Sequence, residues 1–218
     1  MIRVTSAPVP PRFESEVRQP GLRAIAERVG KAPASPRRAG KRFKVSATRE
    51  EDIHPDDLPS YWTKALDDLM TAYGRICAYS CFRIHPVTGA RSVDHMAAKS
   101  RAWDKVYEWS NYRLASTRLN ARKREFGDVL DPFEVQDGWF ELELAGFLVK
   151  PAQGLDATTG DLVQATINRL GLNDFRQDRA RDAEYYWSGD VSLSVLMEES
   201  PFVAKELRRQ GKLRPGDV

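Results

Sequence analysis

The feature that most constrains this chain is a turn signal set between two short extended runs. Pro86-Val87-Thr88-Gly89 joins Phe82 to His85 with Arg91 to His95. Pro and Gly at such offsets punctuate a hairpin, so the middle of the chain is expected to hold two short strands. Downstream, Asn111 to Glu125 is rich in strong helix formers (Leu114, Ala115, Arg118, Leu119, Ala121, Arg122, Lys123) and reads as one helix, ended by Gly127. Strands followed by a helix exclude an all-helical fold and point to an α+β architecture.

The rest fits around that centre. Residues 5–50 are broken by Pro and Gly. One short amphipathic piece, Leu22 to Val29, reads as a helix, and Lys31 to Lys44 as a flexible basic linker or arm. A helix is expected from about Ser60 to Tyr73, with Trp62, Leu66, Leu69 and Met70 at core spacing. Gly138 to Leu144 alternates like a strand, and Gly146 to Pro151 is placed to return beside it. Three helices are expected over about 159–170, 174–187 and 191–210. Leu162, Thr166, Ile167 and Leu170 form the inner face of the first, and Gly171 caps it. The organisation read from this is a basic N-terminal arm (1–50), a central unit with its leading helix (51–150) and a C-terminal helical region (151–218).

Charge separates along these segments although the net charge is only +3. Residues 1–50 carry 12 Lys/Arg against 4 Asp/Glu, and residues 70–126 carry 11 against 4. Residues 51–69 carry 1 against 6, and residues 127–218 carry 10 against 17. Two basic segments beside two acidic ones suit a protein that meets a polyanion at particular places. No apolar run approaches the roughly 18 residues that span a bilayer, and the N-terminus has no hydrophobic signal core. A cytoplasmic protein without a membrane partner is therefore expected.

The informative order from Cys77 to Phe133 is Asp94-His95 at a strand end, then Trp109-Ser110-Asn111-Tyr112-Arg113-Leu114, then Asn120-Ala121-Arg122-Lys123. This resembles the HNH nuclease family, in particular the HNH proteins of bacterial anti-phage systems such as Septu and some retron systems. The core match covers about 55 residues, and Asp128 to Phe133 and Leu170 to Asn173 also look like that subgroup. The resemblance implies a ββα-metal core that cuts phosphodiester bonds, in DNA, with Mg²⁺ or Mn²⁺. It implies metal roles for Asp94 and Asn120, a general-base role for His95, and support of the His95 loop by Asn111.

Hard divalent cations prefer oxygen ligands and keep several waters, so one carboxylate and one amide oxygen are a sufficient protein share. An imidazole near its ordinary pKa of about 6.5 can take a proton from water at neutral pH. Lys99, Arg113, Arg122 and Lys123 are the candidates for phosphate contact, with Lys123 one helical turn from Asn120. Many members of the family hold a structural zinc on two Cys pairs. Here only Cys77 and Cys81 remain, with Ser116 and Leu119 where the second pair would stand, so a structural zinc is not expected and the two thiols read as core residues. The family also often has Gly where Arg124 stands. Two other readings stay open: an RNA-directed nuclease toxin, and a non-cleaving subunit that binds nucleic acid or an SMC-like ATPase partner.

Overall fold

In the computed structural model, which describes residues 1–36, 39–85 and 88–218, the centre is an antiparallel pair. β1 (Arg91–His95) lies beside β2 (Tyr112–Ser116), in a register that places Asp94 opposite Arg113 and His95 opposite Tyr112. This corrects two expectations. The partner of Arg91–His95 is not Phe82–His85, whose only strand-like pairing among the described residues is a single Ile76–Arg83 bridge. Nor does a helix begin at Asn111: Tyr112–Ser116 is a strand, and α3 covers only Thr117–Lys123.

The reason is burial. Tyr112, Arg113, Leu114 and Ala115 are all buried, so this strand is covered on both faces and shows no alternation. Such a run cannot be told from a buried helix segment by periodicity, and cross-strand pairing then overrides helix propensity. Ser116 leaves the strand in an extended conformation, and its hydroxyl accepts from the Leu119 amide to cap α3. Of the turn signal, Pro86 and Val87 lie outside the described residues. At Gly89 the amide donates to the His85 carbonyl, and a Cβ would come within 2.6 Å of the His85 backbone, so the position takes only glycine.

The segment read as an N-terminal arm is packed down at both ends. Phe13 meets Trp109 and Tyr112 edge-on, and Trp109 donates its indole N–H to the Ala7 carbonyl. α1 (Gln19–Arg28) begins earlier than expected, continuing a helical turn over Glu14–Arg18. The basic stretch that follows has no helix or strand among its described residues, yet it returns along α1. The Phe43 amide donates to Glu27, and the Ser46 amide to the Arg28 carbonyl.

Gly21 in α1 sits against the Tyr107 ring, and a Cβ there would fall 2.1 Å from a ring carbon. The ring is buried and held through its hydroxyl, which donates to the Pro59 carbonyl. Helix propensity alone would favour Ala by about 1 kcal/mol. Overpacking costs about 1–3 kcal/mol or more and wins here. Gly21→Ala is expected to lower the urea midpoint, and an unchanged or higher midpoint would contradict this packing.

Around this centre, Tyr61–Ala65 forms a 3-10 turn leading into α2 (Leu66–Ala72), which together cover most of the helix expected from Ser60. β3 (Phe140–Glu143) pairs antiparallel with β4 (Leu148–Pro151), as the sequence pattern predicts. α4 (Ala157–Leu170) is capped by Asp156 and ended by Gly171 at φ 59°. Its inner face is Val163, Thr166, Ile167 and Leu170; Leu162 points outward at 41% exposure. α5 (Arg176–Ser188) follows. The expected last helix is divided into α6 (Leu193–Glu199) and α7 (Pro201–Arg209), because Pro201 cannot continue α6 but suits a first helical turn. The architecture of the described residues is thus α+β: helices around two small antiparallel sheets. No helix among the described residues is long and apolar enough to cross a membrane.

Candidate functional site

Asp94, His95 and Asn120 line one cleft of about 480 Å³, together with Trp62, Val93, Ala98, Lys99, Arg124 and Glu125. Three elements build it: the end of β1, the loop 96–111 that leaves it, and α3 packed against the hairpin. Neighbouring strand residues ordinarily point to opposite faces. Here both faces of the strand end are covered, and both side chains reach the cleft wall.

His95 is buried, with its ring edge-on to Trp62 and Tyr112. Its Nε2 lies 3.0 Å from the Val106 carbonyl oxygen, which also accepts from the Tyr112 hydroxyl. A carbonyl only accepts, so Nε2 carries the hydrogen and the neutral ring keeps its lone pair on Nδ1. Burial lowers the His95 pKa to about 4; the hydrogen bond to Val106 opposes this, and the charges of Lys99 and Lys123 add to it. The imidazole is therefore neutral at pH 7.

Asn111 clips the loop shut. Its Oδ1 accepts from the Ala97 amide at 2.7 Å, and its Nδ2 donates to the carbonyls of Ala97 and Lys105. The Met96 amide donates to the Asn111 carbonyl, adding one more bond to the ladder. Asn120, half-buried in α3, donates from Nδ2 to the Ser92 hydroxyl and the Val93 carbonyl. With the amide nitrogen anchored to β1, its Oδ1 has no protein donor among the described residues.

Asp94 is 2% exposed and held from two sides. The Tyr79 hydroxyl donates to Oδ2 at 2.5 Å, and Lys123 Nζ donates to Oδ1 at 3.1 Å. Burial raises the Asp94 pKa in spite of Lys123 and the Tyr79 hydrogen bond, which pull it down. The Tyr79 hydroxyl is pushed well above its ordinary value, first by burial and then by the Asp94 charge.

Of the four residues read as phosphate contacts, only Lys99 lines the cleft. It is half-buried, 4.5 Å over the Trp62 ring, and its pKa is lowered by burial. Lys123 is fully buried and faces no open surface. Its three donors go to Asp94 and to the carbonyls of His95 and Met96. Arg113 is buried, forks onto both oxygens of Asp131 and lies 3.5 Å over the Phe133 ring. Arg122 ties α3 to the end of α4 through the Leu170 and Gly171 carbonyls and Asp174. All three are struts, Lys123 and Arg113 inside the fold and Arg122 at its surface.

Sequence reasoning missed Tyr79, the Val106 carbonyl and Arg124. Tyr79 is flanked by two buried free thiols, Cys77 and Cys81, and that small apolar setting was its one visible signal. A backbone carbonyl leaves no signal at all. Trp62, read as a core residue, packs against the core and is also a wall of the cleft. Among the described residues no group of three or more His, Cys, Asp and Glu converges on one point. The chain matches no model of a known protein family, and no curated protein matches it.

Proposed function

We propose that this protein is a divalent-metal-dependent endonuclease of the HNH type that hydrolyses phosphodiester bonds in DNA and serves as an anti-phage effector. The observation that carries the reading is the meeting of Asp94, His95 and Asn120 in one cleft, with His95 neutral and its Nδ1 available. The order of strand, loop, strand and helix, and the motif resemblance from Asp94 to Lys123, support it.

The donor set fits Mg²⁺ or Mn²⁺. Asp94 and Asn120 would hold the ion, and the remaining positions would be waters. Asp94 already accepts two hydrogen bonds, but a carboxylate has about four lone-pair sites, so it retains capacity. When bound, the ion would supply charge stabilisation at the scissile phosphate and the leaving oxygen.

The residues of the chain do the rest. His95 Nδ1 takes a proton from water, and the Val106 carbonyl, accepting from Nε2, stabilises the positive charge that then develops on the ring. Asn111 keeps Val106 in place by closing the loop at Ala97 and Lys105. Lys99 offers a cation to the phosphate, and Trp62 excludes water from one side of the ring.

Incubation of supercoiled plasmid with the purified protein and Mg²⁺, Mn²⁺ or EDTA tests this. Metal-dependent nicking is expected, with His95→Ala at least about 100-fold slower, the usual contribution of a general base. Full activity in His95→Ala would remove His95 from the mechanism, and nicking undiminished in EDTA would remove the metal.

A further inference from the structure

A second groove opens next to the cleft, between the C-terminal ends of α3 and α4. It is lined by Arg122, Arg124, Asn168, Arg169 and Asp174, with Phe126 at its edge. Arg124 is the residue common to this groove and the cleft. The other arginines are engaged: Arg122 with Asp174, and Arg169 with Asp128 and the face of Phe126. The Arg124 guanidinium is exposed and, among the described residues, has neither an ion pair nor a hydrogen bond.

The backbone at Arg124 carries an independent sign. It caps α3 at φ 48°, ψ −129°, a conformation that favours glycine and strains any residue with a Cβ. Backbone held in so sparsely populated a conformation occurs disproportionately at functional sites.

We propose that Arg124 is a phosphate-binding residue that leads a nucleic-acid backbone out of the cleft and into the α3–α4 groove. The inference rests on the nuclease reading and adds a path to it: one phosphate at Asp94, His95 and Asn120, and the next held by Arg124. Lys99 and Arg124 supply the cleft's two open cations, since Lys123 is spent on Asp94. Arg122 and Arg169 line the groove but are each neutralised by an aspartate, so Arg124 carries the charge that a polyanion would neutralise.

The test uses the full chain, a fluorescent 30-base-pair DNA duplex and EDTA, so that binding is read without cleavage. Three proteins are compared: the wild type, Arg124→Gly and Arg124→Gln. Both variants are expected to bind roughly fivefold more weakly near 0.1 M salt, with the log–log salt slope lower by roughly one. Arg124→Gly is also expected to raise Tm, by about 2 °C, because it relieves the backbone, while Arg124→Gln leaves Tm in place. Weaker binding together with a higher Tm is an outcome that a structural arginine would not produce.

Unchanged affinity and slope in Arg124→Gln would overturn the inference, as would a lower Tm in Arg124→Gly. The two readings separate cleanly. A wild type that binds the duplex through Arg124 but never nicks plasmid sinks the nuclease reading alone. One that nicks plasmid while Arg124→Gln binds like the wild type sinks the path alone.

Discussion

Lys123→Met will cost the fold about 3–5 kcal/mol, the usual result of removing one partner from a buried ion pair. The Lys123 and Asp94 side chains are 1% and 2% exposed, and the ammonium also holds the carbonyls of His95 and Met96. Without it Asp94 is left charged and almost fully buried, and two backbone acceptors lose their donor. Burial already raises the Asp94 pKa, and Lys123 is the largest influence opposing that rise. In the variant Asp94 therefore takes up a proton closer to neutrality, and the deficit should shrink as pH falls. Urea unfolding at pH 7 measures the loss. Asp94→Asn in the same background should recover a large part of it, since it removes the orphaned charge and leaves an acceptor for Tyr79. A loss below about 1 kcal/mol, or an additive double variant, would show that the pair is not coupled as the geometry requires.

The second large effect is acid sensitivity through His95. Its folded pKa is about 4, against about 6.5 when unfolded. Between those values the unfolded chain holds a proton that the folded chain does not, so stability falls as pH drops from 6.5 to 4. Above pH 6.5 the residue contributes nothing to the pH dependence. The full shift corresponds to about 3 kcal/mol. Urea unfolding of the wild type and His95→Gln at pH 7 and pH 4.5 isolates this share, because other titrating groups cancel in the difference. The wild type should lose more stability than the variant over that interval; equal losses would mean that the imidazole is not buried neutral. The same shift keeps Nδ1 unprotonated in mildly acidic solution, so the acid limb of plasmid cleavage should lie below pH 6.5.

The candidate site residues were legible because residue types and their order do not depend on how the chain turns. Asp94-His95, Asn111 and Asn120 were picked out by an order that resembles a known motif, and the structure puts Asp94, His95 and Asn120 on one cleft, with Asn111 holding its loop. The β3–β4 pair was legible too, since Phe140 and Leu142 alternate with Glu141 and Glu143 across a half-covered sheet. β2 was not. Residues 112–115 are buried on both faces, and a strand without a wet side has no period of two to read.

The clearest division falls within three successive residues, Arg122, Lys123 and Arg124. As a string they read as one basic run, with Arg122 and Lys123 both candidates for phosphate contact. A helix turns roughly 100° per residue, so they cannot share a face. Arg122 reaches the end of α4, Lys123 enters the core beneath Asp94, and Arg124 falls at the helix end with a strained backbone and an open guanidinium. Sequence alone singled out Asp94, His95, Asn111 and Asn120 as candidates, because residue types and their order can be read without the fold. Only the tertiary structure decided which cation is a counter-ion, which is a strut and which meets solvent, because that depends on what packs against each side of a seven-residue helix.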